Sequence, residues 1–340
     1  MRGFQIYRKN IDCRIGMASF LSLPKGIDSL DTIQIVLVIL LSILIANYIY
    51  MRWLLKGNRV VSLDLEKLEG FQNPDGPDSN TVILGNEHLF DDFYAKVYDM
   101  VVEGTTREDA EVNLTLTWAR TFRPENKMMQ VLDIGCGTGG AVELFRKLDV
   151  AKAVGVDSSD SMITEARRKH PKGDYRVGEA EKIGQFAAGE FNLITLYYFT
   201  YYYLRDPNTM FRNAFSWLQP GGCLVIHLVN REKFDPILEA ANPFVAFSMQ
   251  KYSKDRITQS KVSFDKFDYI ANFSIEGSIG EFHEDFKFKN GKHRKQVHKL
   301  RMPTMKEVIS AAESNGFVYK QFIDLTAIGY EYQYLFCFTR

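Results

Sequence analysis

The run Val131-Leu132-Asp133-Ile134-Gly135-Cys136-Gly137-Thr138-Gly139-Gly140 decides how this chain folds. It passes from apolar residues into glycines and then into a helical pattern, which predicts a buried strand, a tight turn and a helix start. Glycines at 135, 137 and 139 permit positive φ and carry no Cβ, so a flat ligand can lie directly on the loop. Three glycines at this spacing also suit a dinucleotide fold. Asp133 points elsewhere. It stands two residues before the first glycine, at the strand end, where a dinucleotide site keeps an apolar residue, and a carboxylate there can accept from an amine.

The next elements agree. Ala151-Lys152-Ala153-Val154-Gly155-Val156-Asp157 predicts a second strand ending in an acid, where a βαβ unit places its ribose-binding carboxylate. A third strand over 174–180 ends in Val177-Gly178-Glu179-Ala180-Glu181. The D-x-G-x-G-x-G pattern at 133–139 resembles motif I of the class I S-adenosylmethionine-dependent methyltransferases. The 177–181 segment is similar to their G-D-A-E segment, with Glu179 where the family usually has Asp. Leu218-Gln219-Pro220-Gly221-Gly222 resembles their L-x-P-G-G turn before the fifth strand. Helix 90–100, ahead of the first strand, resembles the family helix whose Tyr-Asp pair closes over the cofactor: Tyr98 is the match, with Tyr94 one turn earlier on the same face.

The resemblance covers residues 88–340 and implies an α/β fold, a seven-stranded doubly wound sheet of order 3-2-1-4-5-7-6 with the last strand antiparallel. It implies S-adenosyl-L-methionine as cofactor and S-adenosyl-L-homocysteine as product. The cofactor-binding set it implies is Asp133, Gly135, Cys136, Gly137, Gly139, Asp157, Ser158, Met162, Glu179, Ala180, Tyr98 and Tyr94, with Asp133 facing the amine of the methionine moiety.

With 46% hydrophobic and 25% charged residues over 340, the chain is globular material for one large domain and an appendage. Its net charge of +0 gives no electrostatic reason to expect nucleic acid. Cysteines at 13, 136, 223 and 337 have no metal-ligand or disulfide spacing, and no metal is expected.

Residues 1–31 form a tail without a clear period. From Thr32 to Met51 no residue is charged, and this run is long enough to cross a bilayer at ~20 residues per crossing, with Tyr48, Tyr50 and Trp53 in the interfacial belt. A buried helix of a globular core is the alternative. Arg52, Lys56, Arg59 and Lys67 lie close after the span, whereas only Lys25 and, further off, Arg14 lie near before it, so a single-pass membrane protein with its catalytic domain facing the cytoplasm is expected. Residues 52–87 are the juxtamembrane segment and linker, and 88–340 the methyltransferase domain.

Phe191 to Phe199 predicts a central strand buried on both faces. At its end the chain reads Leu196-Tyr197-Tyr198-Phe199, without the Pro-Pro pair that methyltransferases of nucleobase amines carry, so that chemistry is not expected. The phenols of Thr200-Tyr201-Tyr202-Tyr203 could stabilise a cation or simply pack. No catalytic base stands out; His227, His283, Tyr198 and Tyr202 are the candidates. Residues 231–301 predict an inserted antiparallel flap, with strands over 261–275, 281–289 and 292–301 and a turn at Asn290-Gly291. Its His283, His293, His298, Lys287, Lys289, Lys292, Arg294, Lys295, Lys299 and Arg301 suggest either a basic lid for an acidic substrate or lipid headgroups, or a solvated hairpin. Thr304 and Glu307 predict a capping box for a helix over 304–315, and strands over 317–325 and 331–339 close the sheet, with Tyr330, Tyr332 and Tyr334 on one side.

The expected function is methyl transfer by in-line displacement to a small-molecule or lipid-like acceptor, with the bilayer as partner through residues 32–51. Protein methylation and a catalytically silent cofactor-binding scaffold are the alternatives. Oligomeric state is left open.

Overall fold

The computed structural model describes residues 32–57, 80–84, 86–102, 105–122, 128–236 and 256–340. They divide into two units, residues 1–62 and 63–340. The first holds helix α1 (Thr32–Gly57), whose described side chains, residues 34–46, are exposed and, apart from Gln34 and Ser42, apolar, Leu37, Leu41 and Leu44 among them. Among the described residues no helix is long and apolar enough to cross a membrane. This corrects the expected membrane localisation, the cytoplasm-facing orientation and the bilayer contact through 32–51. Tyr48, Tyr50 and Trp53 lie outside the described side chains, as the tail 1–31 lies outside the described residues.

The second unit is built on a mixed seven-stranded sheet in the order β11-β12-β6-β5-β2-β3-β4. Its strands are β2 (Gln130–Ile134), β3 (Lys152–Asp157), β4 (Asp174–Val177), β5 (Phe191–Leu196), β6 (Leu218–Val229), β11 (Val318–Asp324) and β12 (Gln333–Thr339). The expected numbering counted only strands of this sheet; in chain order β1 precedes them and β7–β10 intervene, because those five form a second sheet. β12 is antiparallel to both its neighbours, β6 and β11. Every residue of β5 is buried, as a parallel strand covered on both faces requires. One face is covered by α7 (Pro207–Trp217) and α8 (Met305–Ser314) through Phe211, Trp217, Val308 and Ala312. The other is covered by α3 (Thr105–Ala119) and α4 (Gly140–Lys147) through Val112, Leu116 and Phe145. α5 (Asp160–Lys169) packs beside α4 through Ile163 and Ala166. α6 (Thr200–Tyr203) is a single turn after β5.

The flap is larger than predicted. β7 (Gln259–Ser263), β8 (Phe267–Glu276), β9 (Ile279–Phe288) and β10 (His293–Arg301) run antiparallel, and β1 (Asn80–Leu84), expected within the linker 52–87, adds parallel to β10. The single strand expected over 261–275 is two. Val262 and Phe264 point inward, and a continued period of two would bury Lys266 next. The chain turns instead, Phe264 N–H donating to the Phe267 carbonyl at 2.9 Å, and β8 restarts with Phe267, Tyr269, Ala271 and Phe273 inside. Val262, Phe264, Phe267, Tyr269 and Ala271 pack on α2 (Asp92–Val102) through Phe93, Tyr94 and Val97. At the far edge, Tyr332 has φ 61° and β12 begins only at Gln333, so Tyr330 and Tyr332 do not share a strand face with Tyr334.

The capping box forms as expected: Thr304 N–H donates to Glu307 Oε2 at 2.7 Å and Glu307 N–H to Thr304 Oγ1 at 3.3 Å. Thr304→Ala removes an acceptor from the first turn of α8 and is expected to lower stability by about 1 kcal/mol, read as a lower denaturant midpoint with unchanged slope.

Candidate functional site

The site is assembled where β2, β3 and β5 end. Gly135 and Cys136 donate their amides to the Val156 carbonyl at 2.8 and 3.1 Å, which fastens the loop to the end of β3. Gly137 N–H donates to Asp157 Oδ2 at 3.0 Å and Ser159 N–H to Oδ1 at 2.9 Å, so one carboxylate holds the loop and the start of α5 together. Gly137 (φ 51°) and Gly139 (φ 88°) are left-handed. At Gly139 a Cβ would lie 2.6 Å from the Tyr175 ring, a packing reason for glycine. At Gly137 the nearest atom to a Cβ would be Tyr98 Cε1 at 3.9 Å. The loop is therefore open over Gly137 and roofed by Tyr98.

Helix α2 is tied to this loop: Thr138 Oγ1 donates to Asp99 Oδ1 at 2.6 Å, and Asp99 pairs with Lys169 of α5. Tyr98 is half-buried and meets Tyr94 edge-on at 5.8 Å. Tyr94 itself is buried and donates to Glu284 of the flap at 3.0 Å. Met162 is buried against α2, while Ser158 and Glu179 are exposed and Ala180 accepts from Asn213 at 2.8 Å. Burial pushes the Cys136 thiol up, so it stays protonated beneath the loop.

Asp133 is buried and accepts from Thr195 Oγ1 at 2.7 Å. Burial raises its carboxyl to about 7, against the Thr195 bond, and the nearby charges of Glu111 and Asp157 add to the rise. Asp157 is also raised, by burial, while the amides of Ser159, Gly137 and Ser158 oppose the shift. The loop thus faces carboxyl groups whose ionisation a cation would favour.

The catalytic candidates separate. His227 is fully buried on β6, with Nδ1 on Glu111 and Nε2 3.0 Å from Gln333 Oε1, so both ring nitrogens are engaged. Tyr202 accepts from Val229 N–H at 2.7 Å within the core. His283 is exposed on the outer face of the flap, 3.1 Å from Glu281. Tyr198 (φ 48°) lies at the end of β5 beneath the Arg107 guanidinium, 3.8 Å from its ring centre. The basic side chains of the flap split by strand face. Lys287, Lys295, Lys299 and Arg301 face outward, whereas Arg294 and His298 are buried with Gln296 and Glu284.

Helix α3 supplies what sequence reasoning missed. Arg107 and Glu111, buried and 3.6 Å apart, link Tyr198 to His227. The Glu108 carboxylate lies against Gly140 at the start of α4, where a Cβ would displace it. The spacing 107, 108, 111 is one helix face, a signal present in the sequence.

Residues 131–222 match a family model described as a methyltransferase domain. The dTDP-4-amino-2,3,4,6-tetradeoxy-D-glucose N,N-dimethyltransferase of Saccharopolyspora spinosa is 36% identical over 138 residues, 39% of this chain and 53% of that relative. The chain thus spans about half of that relative's length. In structure it is similar to the CcbJ methyltransferase of Streptomyces caelestis, with TM-score 0.55 and 18% identity over 75% of this chain and 98% of the other. It is also similar to CalS10, a SAM-bound amino pentose methyltransferase from Micromonospora echinaspora, with TM-score 0.51 and 19% identity over 68% and 91%. Residues 131–222 thus match a methyltransferase domain, in a fold shared with S-adenosylmethionine-dependent methyltransferases.

Because the folded carboxyl of Asp133 titrates above its ordinary range, its ionisation opposes folding, and stability is lost as pH rises from about 4 towards 7. Asp133→Asn keeps the acceptor for Thr195 and removes the charge. The cofactor-free variant is expected to gain thermal midpoint over the wild type as pH goes from about 5 to 8.

Proposed function

We propose that the chain binds S-adenosyl-L-methionine across the loop 135–139 and transfers its methyl group to an amine-bearing small molecule, releasing S-adenosyl-L-homocysteine. One observation carries this reading. Gly137 is held open beneath Tyr98 and pinned to Asp157, beside the buried carboxyl of Asp133. A flat, cationic ligand fits that cradle, because Gly137 has no Cβ to exclude it and the carboxyls favour positive charge.

Asp157 would hold the ribose through the lone pairs its two oxygens keep beyond the Gly137 and Ser159 amides. Asp133 would meet the amine of the methionine moiety and remain ionised in that contact. Tyr98 would close over the ligand, on a helix that Asp99 fixes to Thr138. The bound cofactor supplies an electrophilic methyl, leaving the protein to align the acceptor and exclude water, an orientation effect worth several kcal/mol. Support for an amine acceptor comes from the relatives, named for amino sugars. The reason for a lipid-like acceptor falls away with the membrane span.

Calorimetry on the full chain tests the reading. S-adenosylmethionine and S-adenosylhomocysteine should both bind, and Asp157→Ala should weaken both by at least about tenfold, the worth of one charge-assisted contact. Affinity for both should also rise with pH up to about 7 and level off, since binding takes up the ionised form of Asp133. A folded wild-type chain that binds neither compound rejects the proposal.

A further inference from the structure

The inner face of the flap buries a carboxylate and an imidazole that the cofactor site leaves unused. Glu284 on β9 and His298 on β10 are each 2% exposed, with Glu284 Oε2 and His298 Nε2 2.5 Å apart. Glu284 also accepts from Tyr94 on α2 at 3.0 Å, Tyr269 on β8 at 2.6 Å and Gln296 on β10 at 2.5 Å. Burial alone would push this carboxyl up, but His298 and the donors His298, Tyr269 and Gln296 hold it below the ordinary range, so it is ionised. An ionised acceptor at Nε2 fixes the ring proton there and leaves Nδ1 free to accept. Nδ1 lies 2.7 Å from the Tyr203 hydroxyl. Hydroxyl, imidazole and carboxylate therefore stand in line, an order in which the imidazole takes a proton and the carboxylate stabilises the imidazolium.

Tyr203 ends this chain of groups on the side of the site. It is half-buried, whereas Tyr94, Tyr269, Glu284, Gln296 and His298 are all buried. It closes α6, the turn that follows β5, whose Thr200 reaches the Gly135 carbonyl at 3.4 Å. The charged and titratable groups around His298 are Tyr203 from α6, Tyr94 from α2, Glu284 from β9 and Tyr269 from β8 through Glu284. Arg294, on the same strand, is turned to Gln296 and Asp91 at 2.8 and 2.7 Å.

We propose that Tyr203, His298 and Glu284 form a proton relay that takes the proton from an ammonium acceptor so that its nitrogen can attack the methyl group. The relay deepens the proposed function and rests on its amine acceptor. The ammonium N–H breaks and its proton goes to the Tyr203 oxygen, as the phenol proton moves to His298 Nδ1 and Glu284 holds the imidazolium. The freed nitrogen pair then forms the N–CH3 bond while the S–CH3 pair stays on sulfur, giving the neutral thioether. Tyr203 would be the catalytic residue, with His298 and Glu284 positioning it and storing the proton.

Two measurements on the full chain test this. Ring-nitrogen NMR with S-adenosylhomocysteine bound should show His298 protonated at Nε2 with Nδ1 accepting, and Tyr203→Phe should slow exchange of that ring proton with solvent at least about tenfold. A ring protonated at Nδ1 alone, or unchanged exchange in the variant, overturns the relay. The second uses dTDP-4-amino-2,3,4,6-tetradeoxy-D-glucose as amine probe. Tyr203→Phe should lower kcat by about a hundredfold near pH 6.5, with KM and cofactor affinity within about twofold, and the deficit should shrink near pH 9, where more amine arrives unprotonated. A deficit equal at both pH values overturns the relay. Failure of the wild type to bind cofactor is a separate result, which rejects the methyltransferase reading, and the His298 tautomer is then read on the ligand-free chain.

Discussion

One carboxylate holds the site together. Asp157 ends β3 and accepts from Gly137 in the loop after β2 and from Ser159 at the start of α5. Parallel strands that end side by side leave amides without ladder partners, and buried amides must find acceptors. The Val156 carbonyl and the Asp157 oxygens provide them. The geometry of the loop follows from this: Gly137 is drawn into left-handed backbone, its surface stays open, and Tyr98 roofs it because Thr138 and Asp99 lock α2 in place.

The second sheet answers a different constraint. A flap that packs on a helix needs a face turned to the rest of the protein, and here that face is half aromatic and half polar. Phe93, Phe267 and Phe286 form the apolar half, with ring centres 5.2 to 5.5 Å apart. The polar half, Arg294, Gln296, His298 and Glu284, is tolerated because each group has partners; a single missing donor would leave a buried charge exposed to a low dielectric. Such a network fixes one seating of the flap on α2 and α6, since a shift of one residue would turn these groups to solvent.

Much of this was legible in the chain. The glycine run, Asp157, the all-apolar β5 and the Thr304–Glu307 box are local signals, and each produced the element it predicted. The apolar stretch after Thr32 was read by its length as a membrane span, yet among the described residues no helix is long and apolar enough to cross one. The basic residues of the flap suggest either a basic lid or a solvated hairpin, and alternation sends Lys295 and Lys299 outward and Arg294 and His298 inward, so the charge is divided between solvent and core.

What the sequence by itself determined is the order and type of elements and the place of the glycine loop, because these depend on period, glycine and short-range spacing. Only the tertiary structure decided the surroundings of each histidine. His227, His283 and His298 look alike in the chain. One is sealed between Glu111 and Gln333, one faces solvent beside Glu281, and one is set between Tyr203 and Glu284. A side chain's chemistry is set by partners many residues away, and those meet only when β9, β10, α2 and α6 close on one another.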